Sequence, residues 1–265
     1  MRWSRGRVGV VALVVLAAVY GATAAFAKKK PPMMMADTGA KLTVLSPKSG
    51  FTLTGNTLST DVSITHFKVE CQFAGTANRM GIGHYHIELD KSLINMICSP
   101  RSSISMLDVA PGKHTLQFIP AENDHADDMK AMKQISFTYK PSSPLAAAKP
   151  LSFPGKPQVS IVSPKPGSTV HGGFNLVVAA KNFKLSCALY GKANVKGYGH
   201  WHANVDTTTM GMMGMGTMLG MSCAKSFHVS LAGIKPCQHK FIAILEDNTH
   251  APTIGAQASV TVNVK

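Results

Sequence analysis

From Lys41 onward the chain reads as short runs in which apolar and polar positions alternate or β-branched residues gather, each closed by turn residues. In the first half these runs are 41–45, 61–69, 85–89, 104–107, 114–119 and 134–139, with Ser46-Pro47-Lys48-Ser49-Gly50 as an early turn. A period of two marks half-buried strands. No stretch carries the 3.6-residue period of an amphipathic helix, so the pattern predicts an all-β fold. Residues 141–157 hold Pro, Ser, Ala and Lys with little to bury, which predicts an interdomain linker.

Beyond the linker the same text starts again: 159–167 repeats 43–50, and 182–187 repeats 66–71. From Phe67 to His86 the copies align without a gap at an offset of 116 residues, as from Cys71 to Cys187. After the histidine pair the offset becomes 125 and holds from Cys98 to Cys223, from His114 to His239 and from His125 to His250. The chain is therefore an internal duplication. Its second copy carries an insertion between Asp206 and Met221, read here as the Met- and Gly-rich segment 210–221. Two all-strand units, 41–140 and 158–265, predict tandem immunoglobulin-like β-sandwich domains. A small Greek-key barrel would give much the same signals.

One stretch stands out in both copies: Gly-Ile-Gly-His-Tyr-His-Ile-Glu-Leu-Asp at 81–90 and Gly-Tyr-Gly-His-Trp-His-Ala-Asn-Val-Asp at 197–206. As a strand, the first puts His84, His86, Glu88 and Asp90 on one face and Tyr85, Ile87 and Leu89 on the other. The second divides likewise, with His200, His202, Asn204 and Asp206 opposite Trp201, Ala203 and Val205. Two imidazoles side by side on an accessible face suit one metal ion, since neutral imidazole ligates zinc, copper, iron and nickel. Of the other recurring histidines, His114 and His239 open a strand. His125 and His250 sit in acidic turns, Glu122-Asn123-Asp124-His125 and Glu246-Asp247-Asn248-Thr249-His250. Such a turn brings a third imidazole to the pair, with the acidic groups as ligands or as acceptors for ring N–H groups. The expectation is a three-histidine site with an open position in each repeat, from His84, His86 and His125 and from His200, His202 and His250. The competing expectation is of surface histidines with ordinary hydrogen bonds, the Gly-x-Gly before them marking a bulge. His66, His171 and His228 do not recur.

Cys71 and Cys98 correspond to Cys187 and Cys223, which in an oxidising compartment reads first as one disulfide per repeat. The rival is thiolates joining a soft-metal site. Cys237 stands alone as a free thiol, an intermolecular link or a ligand. The insertion gathers Met210, Met212, Met213, Met215, Met218 and Met221, whose thioethers bind Cu(I) better than zinc or hard cations. Flexible and apolar, they equally suit a mobile loop that packs on the domain or on a partner. No nucleophile elbow, phosphate-cradling glycine loop or His-Glu-x-x-His occurs, so nothing in the sequence points to an enzyme, and any activity would come from the metal.

Gly-His-Tyr-His-Ile-Glu-Leu-Asp at 83–90, Pro111-Gly112-Lys113-His114-Thr115-Leu116-Gln117 and Asp124-His125 together resemble the bacterial secreted domain of unknown function numbered 4399. The second copy matches at His200, His202, Asp206, His239 and His250 but has Lys235-Pro236-Cys237-Gln238 in place of the Pro-Gly turn. The resemblance covers the latter half of each repeat and implies a compact exported β-domain with no established activity.

The first residues fit export. Arg2, Arg5 and Arg7 precede an apolar run at 8–19, and Ala25-Phe26-Ala27 supplies a cleavage site, predicting a signal peptide at 1–27, a mature start at Lys28 and a flexible lead-in over 28–40. Lys28, Lys29 and Lys30 after a nearly membrane-long apolar stretch leave an uncleaved anchor as the alternative. Either way the body lies in the periplasm, the envelope or the medium. The formal charge of +14 comes from scattered lysines and the leader arginines. That pattern predicts no nucleic-acid partner and is compatible with an anionic envelope polymer or lipid surface, or with a solvated basic surface. Copper binding or buffering is the leading expectation, with zinc as the alternative metal. A structural or adhesive envelope module without metal competes with it.

Overall fold

The computed structural model describes residues 36–209 and 215–265. The leader or anchor at 1–27, the lead-in up to 35, and Met210, Met212 and Met213 lie outside the described residues. Among the described residues no helix is long and apolar enough to cross a membrane.

The first repeat runs β1 (Lys41–Ser46), β2 (Phe51–Leu53), β3 (Thr57–Thr65), β4 (Lys68–Val69), β5 (Ile82–Leu89), β6 (Ser92–Ile97), β7 (Arg101–Ser105), β8 (Gly112–Ala121) and β9 (Lys133–Tyr139). The second runs β10 (Gln158–Ser163), β11 (Thr169–Val170), β12 (Gly173–Lys181), β13 (Lys184–Leu185), a short 3-10 turn (Cys187–Leu189), β14 (Tyr198–Val205), β15 (Met218–Ser222), β16 (Ser226–Ser230), β17 (Gln238–Glu246) and β18 (Pro252–Val264). Each repeat folds into the same two sheets. One is three-stranded, β1-β3-β7 or β10-β12-β16; the other is ordered β2-β9-β8-β5-β4 or β11-β18-β17-β14-β13, with β6 paired to β5 or β15 to β14. The chain is thus a tandem of immunoglobulin-like β-sandwiches, the fold the alternation predicts. Residues 141–157 contain no strand, and both sandwiches belong to one compact unit, Met34–Lys265.

The apolar faces of the sheets build one core per repeat. Tyr85, Ile87 and Leu89 of β5 pack with Leu42, Leu58, Ile104, Leu116, Phe118 and Phe137. Trp201, Ala203 and Val205 of β14 pack with Leu176, Val178, Val229, Phe241, Leu245 and Val262. Burying each large side chain contributes about 1.5–3 kcal/mol. Tyr85 and Trp201 place their polar ends alike: Tyr85 Oη–H donates to Ser99 O at 3.0 Å and Trp201 Nε1–H to Ala224 O at 2.8 Å. Both acceptors directly follow a disulfide cysteine. Cys71–Cys98 and Cys187–Cys223 are joined, each spanning a Cα–Cα distance of 5.3 Å. Closing loops of 27 and 36 residues restricts the unfolded chain by about 3–4 kcal/mol each.

Several expectations need correction. The run 61–69 is two strands, because His66 at φ 61° turns the chain between β3 and β4. The run 104–107 sits earlier, at 101–105, where pairing with β3 sets its register. Strands β2, β4 and β6 are too short or too mixed in composition for alternation to show them. Residues 36–40 are not a loose lead-in: Thr38 donates from N and Oγ1 to Asp128 Oδ2 at 2.9 and 2.7 Å, and Ala36 and Ala40 are buried. The inserted residues also end sooner than Met221. Met218–Ser222 is a strand paired with β14 as β6 is paired with β5, with Met221 opposite His202 as Met96 is opposite His86, so the additional residues lie before Met218.

The largest correction concerns the histidine-bearing face. An accessible polar face was expected, but His84, His86 and His200 are at most 2 % exposed, as deeply buried as the apolar face behind them. The neighbours on that face, Ile119, Ala121, Ile242 and Ile244, are buried too, although they belong to neither sandwich core. The two repeats meet there, each covering the other's histidines.

Candidate metal centre

β5 and β14 deliver two imidazoles each. A close approach of the neighbouring strand fixes the first: a Cβ at Gly83 would overlap Ala121 O, and one at Gly199 would overlap Glu246 O. The Gly-x-Gly thus marks close packing rather than a bulge. The third imidazole comes from the loop after β8 or β17, where His125 and His250 hold φ of 64° and 62°. That left-handed conformation costs a residue with a Cβ roughly 1–2 kcal/mol, and here it turns the ring back over the strand.

In the first repeat, His84 Nε2 lies 3.1 Å from His86 Nε2 and 3.0 Å from His125 Nδ1, and the last two are 3.5 Å apart. In the second, the corresponding distances are 3.0, 3.0 and 3.4 Å. Two nitrogens bound to one ion at about 2.0–2.1 Å with near-tetrahedral angles stand roughly 3.3 Å apart, so both triangles have the size of a three-nitrogen coordination face.

Hydrogen bonding decides where the ring protons sit. His125 Nε2–H donates to Met218 O at 2.7 Å, and His250 Nε2–H donates to Leu93 O at 2.8 Å. A carbonyl only accepts, so Nδ1 of each ring presents a lone pair to its triangle. His86 Nδ1–H donates to Asp127 Oδ1 at 2.7 Å, which leaves His86 Nε2 as a second lone pair. The centre of the first triangle can hold one N–H, from His84, facing two acceptors. A cation satisfies all three lone pairs where one proton cannot. Nδ1 of His84 and of His200 is buried without a partner.

Burial, then repulsion from His125 and His86, holds His84 well below the usual imidazole pKa; burial, then His86, takes His125 to about 3. Burial also lowers His200, His202 and His250. At neutral pH these rings are therefore neutral, the form that ligates metal.

The two acceptors that orient His125 and His250 lie in the opposite repeat and occupy equivalent positions, Leu93 on β6 and Met218 on β15. Each contact depends on a glycine: a Cβ at Gly75 would lie 2.8 Å from Met218 O, and one at Gly191 would overlap Leu93 O. Neither the cross-repeat bonds nor Asp127 was legible beforehand. Gly75 and Gly191 do recur at the same offset, but nothing in the sequence says what approaches them. The predicted acidic acceptors in the turns serve elsewhere: Glu122 accepts from Asn78, Asp124 caps Ala126 N, and Asp247 caps Thr249 N and Ala251 N. Asp90 and Asp206 leave the histidine face, because φ of 51° and 61° turns them outward to accept from Nδ1–H of His114 and His239 at 2.7 and 2.8 Å. Those two histidines thus tie the end of β5 to β8 and the end of β14 to β17.

Disulfide bonding removes Cys71, Cys98, Cys187 and Cys223 as thiolate ligands. Cys237 is exposed, with Sγ 3.1 Å from His239 Nε2 and away from both triads. Of the other methionines in 210–221, Met215 and Met218 are buried and Met221 is half-buried. Among the described residues, the two triads are the groups of three or more His, Cys, Asp or Glu whose ligand atoms converge.

No family model matches the chain, and no curated protein matches it. Among solved structures it is similar to the fibronectin(III)-like modules of Clostridium thermocellum CbhA, at 15% identity over 84% of this chain and 94% of that one, with a TM-score of 0.28. It is also similar to the tetra-tandem repeat in the extending region of a large adhesion protein, at 9% identity over 85% of this chain and 49% of that one, with a TM-score of 0.26. A 1.5-MDa bacterial ice-binding adhesin matches at 10% identity over 79% and 58%, with a TM-score of 0.22. Likenesses this slight carry nothing about the function of the chain.

Proposed function

We propose that the chain is an exported metal-binding protein that holds one ion at each histidine triad, with copper as the preferred metal and zinc as the alternative. The observation that carries this reading is the convergence of three ring nitrogens within 3.0–3.5 Å in both repeats, two of the first triad's being fixed as lone pairs by acceptors outside the triangle. Three neutral imidazoles suit copper or zinc. Met215, which lines the same cavity as His202 and His250, favours copper, because a thioether is a soft donor. Export is part of the proposal and rests on the leader residues and the paired cysteines; kinship with the secreted domain of unknown function is part of it too and rests on the motifs at 83–90, 111–117 and 124–125.

The second reading is a structural or adhesive envelope module in which the triads hold no metal. Its support is the tandem-sandwich format and exposed apolar side chains such as Met80 and Ile254. One experiment separates the two: elemental mass spectrometry of the chain purified from the periplasm, beside a His84→Ala, His86→Ala, His200→Ala, His202→Ala variant. Copper on the native chain, absent from a variant that keeps its β circular dichroism, supports the metal reading. Absence of metal from the native chain, even after copper or zinc loading, leaves the envelope module.

A further inference from the structure

Resting on that metal-binding reading, we infer that the two triads have different work: the second exchanges its ion through a cavity between the repeats, and the first retains its ion. The cavity measures about 460 Å³, and its lining includes His202, His250, Glu246 and Met215 from the second repeat and Glu88 and Leu93 from the first. None of His84, His86 and His125 lines it. The first triad is sealed on every side, its rings 0–2 % exposed. A sealed site releases its ion only when the surrounding structure opens locally, whereas a site beside a cavity admits an incoming ligand to the ion directly.

The fixing of the rings differs in the same direction. His86 is clamped by a 2.7 Å hydrogen bond to Asp127. The equivalent His202 has Glu246 Oε1 at 3.8 Å, beyond hydrogen bonding, and Glu246 Oε2 is buried without a partner although the residue is only 3 % exposed. A ring without that clamp is freer to leave the ion, since outer hydrogen bonds orient ligands and strengthen their hold. Glu88 and Glu246 give the cavity carboxyl oxygens, and Met215 gives it a thioether, a donor set suited to passing a copper ion inward. Thr208 and Met215 both come from the residues between β14 and β15 that the first repeat lacks, so the insertion supplies part of the cavity wall.

The test is the rate at which excess EDTA strips copper(II) from the loaded full chain, followed by the visible absorbance of bound copper. Two phases of one equivalent each are expected, the faster by roughly ten-fold or more, as for loss of an outer clamp. His200→Ala with His202→Ala should delete the fast phase, and His84→Ala with His86→Ala the slow one. Thr253→Trp, which narrows the cavity from a lining residue that is not one of the ligands, should slow the fast phase at unchanged amplitude. Two equivalents leaving at a single rate, or a fast phase that survives loss of His200 and His202, overturns the division of labour and leaves metal binding intact. A fast phase indifferent to Thr253→Trp overturns the cavity route. A chain that takes up no copper overturns both readings together.

Discussion

His86 and His202 occupy the same place in the two repeats, yet one ring is clamped at 2.7 Å by Asp127 and the other stands 3.8 Å from Glu246. Inside the triangles the repeats agree to within 0.1 Å. The comparison teaches that the backbone, through a strand packed against its neighbour and a left-handed histidine, sets where the three nitrogens meet. The surroundings then decide how firmly the rings are held. At the position of Asp127 the second repeat has Pro252, whose side chain offers no hydrogen-bond acceptor, and at the position of Ala121 it has Glu246.

Acid gives the largest expected effect, because five rings act together. Unfolded imidazoles take a proton near pH 6.5, and the buried rings of His84, His125, His200, His202 and His250 do so only at lower pH, about 3 for His125. Protons therefore favour the unfolded chain. The stability that these rings contribute is complete above about pH 6.5 and declines as pH falls below it, and it outweighs the opposing share of the one buried Glu246 carboxyl, which burial raises to about 8. Urea midpoints of the metal-free chain from pH 8 to 4 will show it, and a flat profile breaks the picture of two buried neutral triads.

Next is loss of a ligand. His125→Ala and His250→Ala should each remove one tightly held equivalent and spare the other, weakening the affected site by more than the roughly 10–100-fold that loss of an outer partner costs. Isothermal titration with copper reads both. If either variant loses both equivalents, the triads are not separate sites.

Gly191→Ala should destabilise the chain by about 2–5 kcal/mol, combining a left-handed penalty with overpacking against Leu93. Gly75→Ala, whose Cβ would sit 2.8 Å from Met218 O, should cost less. Denaturant unfolding ranks the pair, and the reverse order would show that the repeats do not press on each other as described. The smallest effect separates the clamps: Asp127→Asn should weaken the first site by roughly 10-fold, and Glu246→Gln should change the second hardly at all. Competition with a calibrated chelator measures both.

Much of this architecture was legible in the sequence. The period of two in 85–89 gave the core face of β5, and the recurrence of Cys71 with Cys187 gave the duplication. The six triad histidines stood out because each recurs at the offset of its neighbours. What could not be read was whatever depends on the other repeat. The burial of His84 and His200, the carbonyls of Leu93 and Met218, and the need for Gly75 and Gly191 all arise where the two sandwiches meet. Alternation along one strand reports two faces, and says nothing of a second domain covering the polar one. Asp127 was missed for a local reason: it lies beyond the acidic turn, and its carboxyl reaches His86 only because Ala121 and Asp127 bridge across the loop.

The central claim, that three imidazoles of one repeat share one ion, is tested most directly by X-ray absorption at the metal edge of the copper-loaded chain. The account predicts a first shell with three imidazole nitrogens at about 2.0 Å per copper and their outer-ring scattering, lost when His84, His86, His200 and His202 are replaced. A shell with one imidazole or none per copper, or a spectrum unchanged by those replacements, would contradict it.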